Sequence, residues 1–247
     1  MQAGRADGPT SPYSVAVANR RSDTLPRDLE AVLARGLSTR RKAASAPPQV
    51  YRLHLSLLET EPLIWRRLQI PSNITLRRLH DVFQIAMGWT DSHLHEFTVG
   101  DQHIGMAEPE AEPLANLRDD RRTTLEEIAR RVGDEFTYNY DFGDDWDHRV
   151  VIESIADAGV AAHRALCLDG ARACPPEDCG GTSGYEHLLE VLNDPSHEEH
   201  DDLRAWSGEA FDPEHFDQDA VNKRLGKLRL SAGRFAAAPR RTRQRAR

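Results

Sequence analysis

Three short stretches hold most of the residues whose chemistry goes beyond packing. The first, "NYDFGDDWDHRV", places Asp141, Asp144, Asp145, Trp146, Asp147 and His148 within eight residues. Carboxylates this close oppose one another's ionisation unless a cation, an arginine or solvent compensates. Three readings stand side by side: a solvated turn whose Asp side chains bond backbone amides, a divalent-metal or general acid–base site, and a docking surface with Trp146 as aromatic anchor. An EF-hand does not fit, because its ligands alternate and end on a distant Glu.

The second stretch, "HLHEF", puts His93 and His95 two residues apart. On a strand they share a face, and two imidazoles on one face can reach one metal ion or serve as hydrogen-bonded core residues. The third, "CPPEDCGGTSGYE", brings Cys174 and Cys179 before an apolar helical pattern. Two thiolates, completed by imidazoles, could hold tetrahedral Zn²⁺ or another divalent metal, so His95, His148, Cys174 and Cys179 form the candidate ligand set. The second C-x₂₋₄-C or H-x₃₋₅-H knuckle of a zinc finger is missing, and nothing in sequence sets a base beside Cys174 as a nucleophile would need. The glycines could present amides to an anion at the helix start, where Glu186 would compete.

The elements that must position these residues follow from periodicity. Tyr51, Leu53, Leu55 and Leu57 alternate, and after an "ETEP" turn Ile64, Leu68 and Ile70 alternate again, which predicts a β-hairpin. Leu76, Leu79, Phe83 and Ala86 recur at helical spacing, with Thr75 as N-cap and Gly88 past the C-terminus. "HLHEFTV" reads as a strand carrying His93, His95, Phe97 and Val99 on one face, followed by a hairpin turn. Residues 105–122 read as a loop, and Thr124-x-x-Glu127 as a capping box. "EFTYNYD" and "WDHRVVIESI" form a second hairpin across "FGDD", and "HRALCL" one further strand. Ser183-x-x-Glu186 and Ser196-x-x-Glu199 read as two more capping boxes that start helices carrying Tyr185, Leu188, Leu189 and Leu192, then Leu203 and Trp206. A last helix runs from near Gln218 to Leu228 behind Asp217. Hairpins first and helices last predict an α+β fold with an antiparallel or mixed sheet, and no glycine-rich nucleotide loop is present.

Composition sets the limits. The 247 residues carry a net charge of -8. Residues 1–48 hold eight Arg/Lys against four Asp/Glu, and residues 229–247 hold seven Arg and no acid, so residues 49–228 are strongly acidic. That acidic body repels a phosphate backbone, which confines any nucleic-acid contact to the basic tails. Three cysteines, Cys167, Cys174 and Cys179, do not make a disulfide scaffold and fit a reducing, cytoplasmic setting. No run is long enough to span a bilayer, so a membrane partner is not expected. Residues 1–48 read as a mostly disordered arm holding one short amphipathic segment, "TLPRDLEAVLARG". Residues 229–247 read as a disordered basic tail.

"PLIWRRLQIP", "LHDVFQIAMGW", "HLHEF", "YDFGDDWDH" and "CPPEDCGG…GY", in that order, resemble the plasmid pRiA4b Orf-three-like family over about residues 49–228. The resemblance implies a small α+β domain, some of whose relatives are named as the "TnpR" passenger of an insertion element, and supplies no reaction. Recombinase chemistry is not expected, since it would need a nucleophilic Ser among arginines and a basic helix-turn-helix.

The expected function is a non-catalytic interaction module of mobile-element origin with a protein partner. Its expected surface is Trp89, Tyr140, Asp141, Asp144, Trp146, Glu177, Asp178 and Tyr185. A metal-dependent hydrolase or nuclease, and nucleic-acid binding through the tails, are the alternatives. Oligomeric state is not encoded in any pattern found.

Overall fold

A computed structural model describes residues 49–106, 117–159 and 164–230. Eight strands build one mixed sheet: β1 (Gln49–Leu57), β2 (Trp65–Pro71), β3 (His95–Val99), β4 (Gln102–Gly105), β5 (Leu117–Asp119), β6 (Glu135–Tyr140), β7 (Trp146–Asp157) and β8 (Leu166–Ala171). Their spatial order is β5-β4-β3-β6-β7-β1-β2-β8. All neighbours run antiparallel except β4 and β5. Five helices complete the described fold: α1 (Leu76–Met87), α2 (Leu125–Ile128), α3 (Gly181–Asn193), α4 (His200–Ser207) and α5 (Gln218–Leu225). The architecture is α+β.

The period-two pattern sorts the sheet into a dry and a wet face. Leu53 pairs with Leu68 and Ile152, Leu55 with Arg66 and Val150, Leu57 with His148, Tyr138 with His148 and Phe97, and Tyr140 with Trp146 and His95. All of these side chains are buried. Residues one step out of phase make the wet face, where Arg67 pairs with Glu153 at 2.7 Å and Arg149 with Glu135. Helix α1 seals the dry face: Phe83 meets Tyr138 edge-on at 5.1 Å between ring centroids and lies 6.3 Å from Phe97. Thr75 caps it by accepting from the Arg78 amide, and Gly88 ends it at φ 104°, a left-handed conformation that glycine adopts without strain. Helix α5 pins the edge strand β8, because Asn222 Oδ1 accepts from the Cys167 amide and Gln218 donates to the Cys167 carbonyl.

Several local expectations are corrected. Within the stretch read as a loop, Leu117–Asp119 adds a parallel strand to β4, too short to leave a periodic trace. His93 precedes β3 and does not share the strand face of His95. The Thr124 box forms as expected, although its helix is a single turn. Ser183 is not a cap: α3 starts two residues earlier, behind Gly180 in a left-handed conformation, and the Ser183 hydroxyl donates to the Gly180 carbonyl. Glu199, not Ser196, occupies the cap position of α4, since Asp194 already takes the Ser196 amide and hydroxyl. Trp206 on α4 is 49% exposed. Leu230 is buried, while the N-terminal segment and the arginines from Arg234 on lie outside the described residues.

Candidate functional site

The stretches singled out by their chemistry meet at one end of the sheet. There the segment after α1 (Trp89–Leu94), the β6–β7 turn and the loop Cys174–Gly180 come together. Tyr140 Oη donates to Glu177 Oε1 at 2.6 Å, Thr90 bonds the other Glu177 oxygen, and the Ser92 amide donates back to Tyr140. Trp89 stacks on Tyr140 with ring centroids 4.9 Å apart, and its indole donates to the Pro175 carbonyl at 3.0 Å. Asp144 Oδ2 accepts from the Gly180 amide. Gly181 (φ 70°) passes so close to the turn that a Cβ there would sit 2.6 Å from the Asp144 carbonyl.

Electrostatics follow this packing. Burial alone would raise Glu177, but hydrogen bonds from Thr90 and Tyr140 outweigh it and hold the carboxyl below its usual range. Burial first, then the bond to Glu177, raises Tyr140. Burial pushes the Cys174 and Cys179 thiols up to about 12, so both are neutral at physiological pH and poor nucleophiles.

Beneath this layer lies a histidine pair. His80 and His95 stack face to face with ring centroids 3.6 Å apart. Gln84 donates to Tyr138 Oη, which leaves that hydroxyl to donate to His80 Nδ1, and His80 Nε2–H then donates to Asp91 at 2.7 Å. Burial, then the adjoining His95, push His80 down to about 3 against the pull of Asp91. The neutral ring fits that hydrogen-bond direction. His95 is taken by the buried Asp120 at 3.1 Å, and His148 turns Nδ1 to the carbonyls of Trp146 and Tyr138. Burial lowers His148 to about 4.

The expected metal set is therefore dispersed. His95 bonds Asp120 and His148 bonds backbone carbonyls, and no three of His95, His148, Cys174 and Cys179 bring their ligand atoms together. Among the described residues, ligand atoms gather within 4.8 Å only as His80/Asp81/Asp91 and His93/Asp141/Asp178. His93 and His95, expected to reach one ion, diverge: His93 Nε2 lies 3.1 Å from Asp178 and 3.5 Å from Asp141. The expected binding aromatics Trp89, Tyr140, Trp146 and Tyr185 are all buried, Trp146 to 1% exposure, because strand alternation or helix packing turns them into the core. The acids Asp141, Asp144, Glu177 and Asp178 do come together.

Sequence reasoning gave no role to Arg66. It is 1% exposed and has no carboxylate partner among the described residues; it donates to the carbonyls of Trp65, Ala86, Ala171 and Arg172 at 2.7–2.8 Å. Its guanidinium also covers the Phe216 ring at 4.2 Å. The sequence signals were its place in the motif "PLIWRRLQIP" shared with the family it resembles and its phase with Leu68 and Ile70.

The plasmid pRiA4b ORF-3-like profile matches residues 49–220, the stretch that carries every motif of this cluster. The chain belongs to that family. An uncharacterized protein, y4hQ, from Sinorhizobium fredii (strain NBRC 101917 / NGR234) is 39% identical over 189 residues, covering 76% of this chain and 96% of its own. The crystal structure of a protein of unknown function, MM3350, from Methanosarcina mazei Go1 superposes with a TM-score of 0.64 at 39% identity, covering 70% of this chain and 98% of the other. For this family member the motifs account for a braced junction of three segments. Beside it, Asp178, Cys179, Gly184, His187, Leu188, Leu203 and Trp206 line an open cleft of about 270 Å³ between α3 and α4. No helix among the described residues is long and apolar enough to cross a membrane.

Proposed function

We propose that the protein is a non-catalytic interaction module, an accessory protein of mobile-element origin, that grips a protein segment in the cleft between α3 and α4. The observation that carries this reading is the half-exposed Trp206, standing with Leu203 and Leu188 over a cleft whose rim includes Asp178. An aromatic wall and apolar floor suit one inserted apolar side chain. Glu198, Glu199, Asp201 and Asp202, at and before the start of α4, give the surroundings a negative field. The matching ligand is therefore an apolar residue flanked by Lys or Arg. The neutral, half-buried thiols and the engaged Glu177 support a non-catalytic role.

Trp206 supplies its own reporter. A peptide with a central Leu between lysines should change Trp206 fluorescence saturably and bind more weakly as salt rises, and Trp206→Phe should abolish the signal. Leu203→Glu should weaken binding measured by calorimetry. No saturable binding of the peptide to the folded protein, or equal binding by Leu203→Glu, would overturn the reading.

A further inference from the structure

We infer that His93, Asp141 and Asp178 form a site for one divalent transition-metal ion of the Zn²⁺ or Mn²⁺ type. Each donor comes from a different segment of the junction: His93 from the stretch before β3, Asp141 from the β6–β7 turn, and Asp178 from the Cys174–Gly180 loop. Their ligand atoms all lie within 4.8 Å of one another. For an ion held at about 2.1 Å, neighbouring ligand atoms are about 3.0 Å apart in octahedral and about 3.4 Å apart in tetrahedral coordination. The His93 Nε2 separations of 3.1 Å and 3.5 Å match these spacings.

Two further observations point to a cation. His93 Nε2 is itself shielded from solvent, although the side chain is 27% exposed, and it makes no hydrogen bond among the described residues. A nitrogen held against two carboxylates without bonding either is placed as a lone-pair donor would be. The Asp141 side chain is 10% exposed, and its Oδ1 accepts from the Gly143 and Asp144 amides. That anchoring aims Oδ2 at His93 and leaves it free to coordinate. Asp178 is 73% exposed on its side chain, so solvent or a ligand could complete the coordination sphere.

The other gathered group needs no ion. His80 already bonds Tyr138 and Asp91, while Arg77 and Arg78 neutralise Asp81 and Asp91. One imidazole with two carboxylates favours Zn²⁺, Mn²⁺ or a similar ion over Mg²⁺ and Ca²⁺, which prefer all-oxygen shells. This site shares Asp178 with the cleft but does not depend on a peptide partner.

The test uses the full chain stripped with chelator, then titrated by calorimetry with ZnCl₂ and separately with MnCl₂, with no peptide present. The expected result is one equivalent of at least one of the two ions and a raised Tm. Losing an outer-sphere group costs metal sites about 10–100-fold in affinity, so His93→Ala should weaken binding by about 100-fold or more. Asp141→Asn keeps the oxygen that accepts the two amides and should bind weakly while remaining folded by circular dichroism. His103→Ala removes an exposed histidine on β4, outside both the junction and the cleft, and should change nothing. The absence of stoichiometric binding, its survival in His93→Ala, or its loss in His103→Ala would each overturn the site.

Discussion

Tyr140 and Glu177, 37 residues apart in sequence, meet through a 2.6 Å hydrogen bond that joins the end of β6 to the loop before α3. Donation from a phenol to a partly buried carboxylate is among the stronger side-chain bonds. Tyr140→Phe and Glu177→Gln should each lower unfolding free energy by about 1–3 kcal/mol. The double variant should fall short of additivity by about 1 kcal/mol in urea titrations, and strict additivity would show that the two groups act separately.

Arg66 should resist conservative replacement. Lysine offers one compact ammonium where the guanidinium serves four carbonyls from fixed directions. Arg66→Lys should therefore cost about 2–4 kcal/mol, because it strands buried carbonyls as well as a buried charge. A loss below about 1 kcal/mol by chemical denaturation would mean that water replaces the fork.

Gly181 and Gly88 separate two kinds of glycine requirement. Both have positive φ, but a Cβ at Gly88 meets nothing within 4 Å, whereas one at Gly181 meets the Asp144 carbonyl. Gly88→Ala should cost about 1–2 kcal/mol of backbone strain alone. Gly181→Ala adds a clash between backbones and should cost about 2–4 kcal/mol. Equal melting temperatures for the two variants would contradict the close approach.

Acid should destabilise the fold through His148. Its folded value is lowered to about 4 from 6.5, mainly by burial and slightly by Arg66. As pH falls below 6.5 the unfolded chain takes up the proton first. Stability is thus full above 6.5 and declines towards pH 4, by roughly 1 kcal/mol for each pH unit. His80, lowered to about 3, acts with the same sign and extends the window. Urea midpoints for wild type and His148→Gln should converge as pH is lowered, and a parallel pH dependence would argue against the assignment.

Much of the fold was legible because it is written in short-range pattern. Thr75 and Gly88 mark the ends of α1, and alternation marks both hairpins and the last strand. The candidate site was legible only in its parts. Nothing in "HLH" distinguishes His93 from His95, yet one residue of chain before β3 sends His93 to Asp178 while β3 carries His95 to Asp120. Those pairings are set by where segments cross. Trp146 was misplaced for a related reason: its acidic neighbours suggested solvent, while strand phase decided burial. At Ser183 the local capping signal lost to the tight path of Gly184, where a Cβ would collide with the Cys179 carbonyl.

The place of β1 has a consequence for biosynthesis. Leu57 lies opposite His148 and Gln49 opposite Asp157, so this interior strand finds one flank in β2 soon after translation but waits for the other. At typical ribosomal speeds the intervening chain of roughly a hundred residues takes about 5–20 s to make. Throughout that interval the β1–β2 hairpin presents an apolar face and an open row of amides, which makes the nascent chain a natural client for chaperones near the ribosome exit.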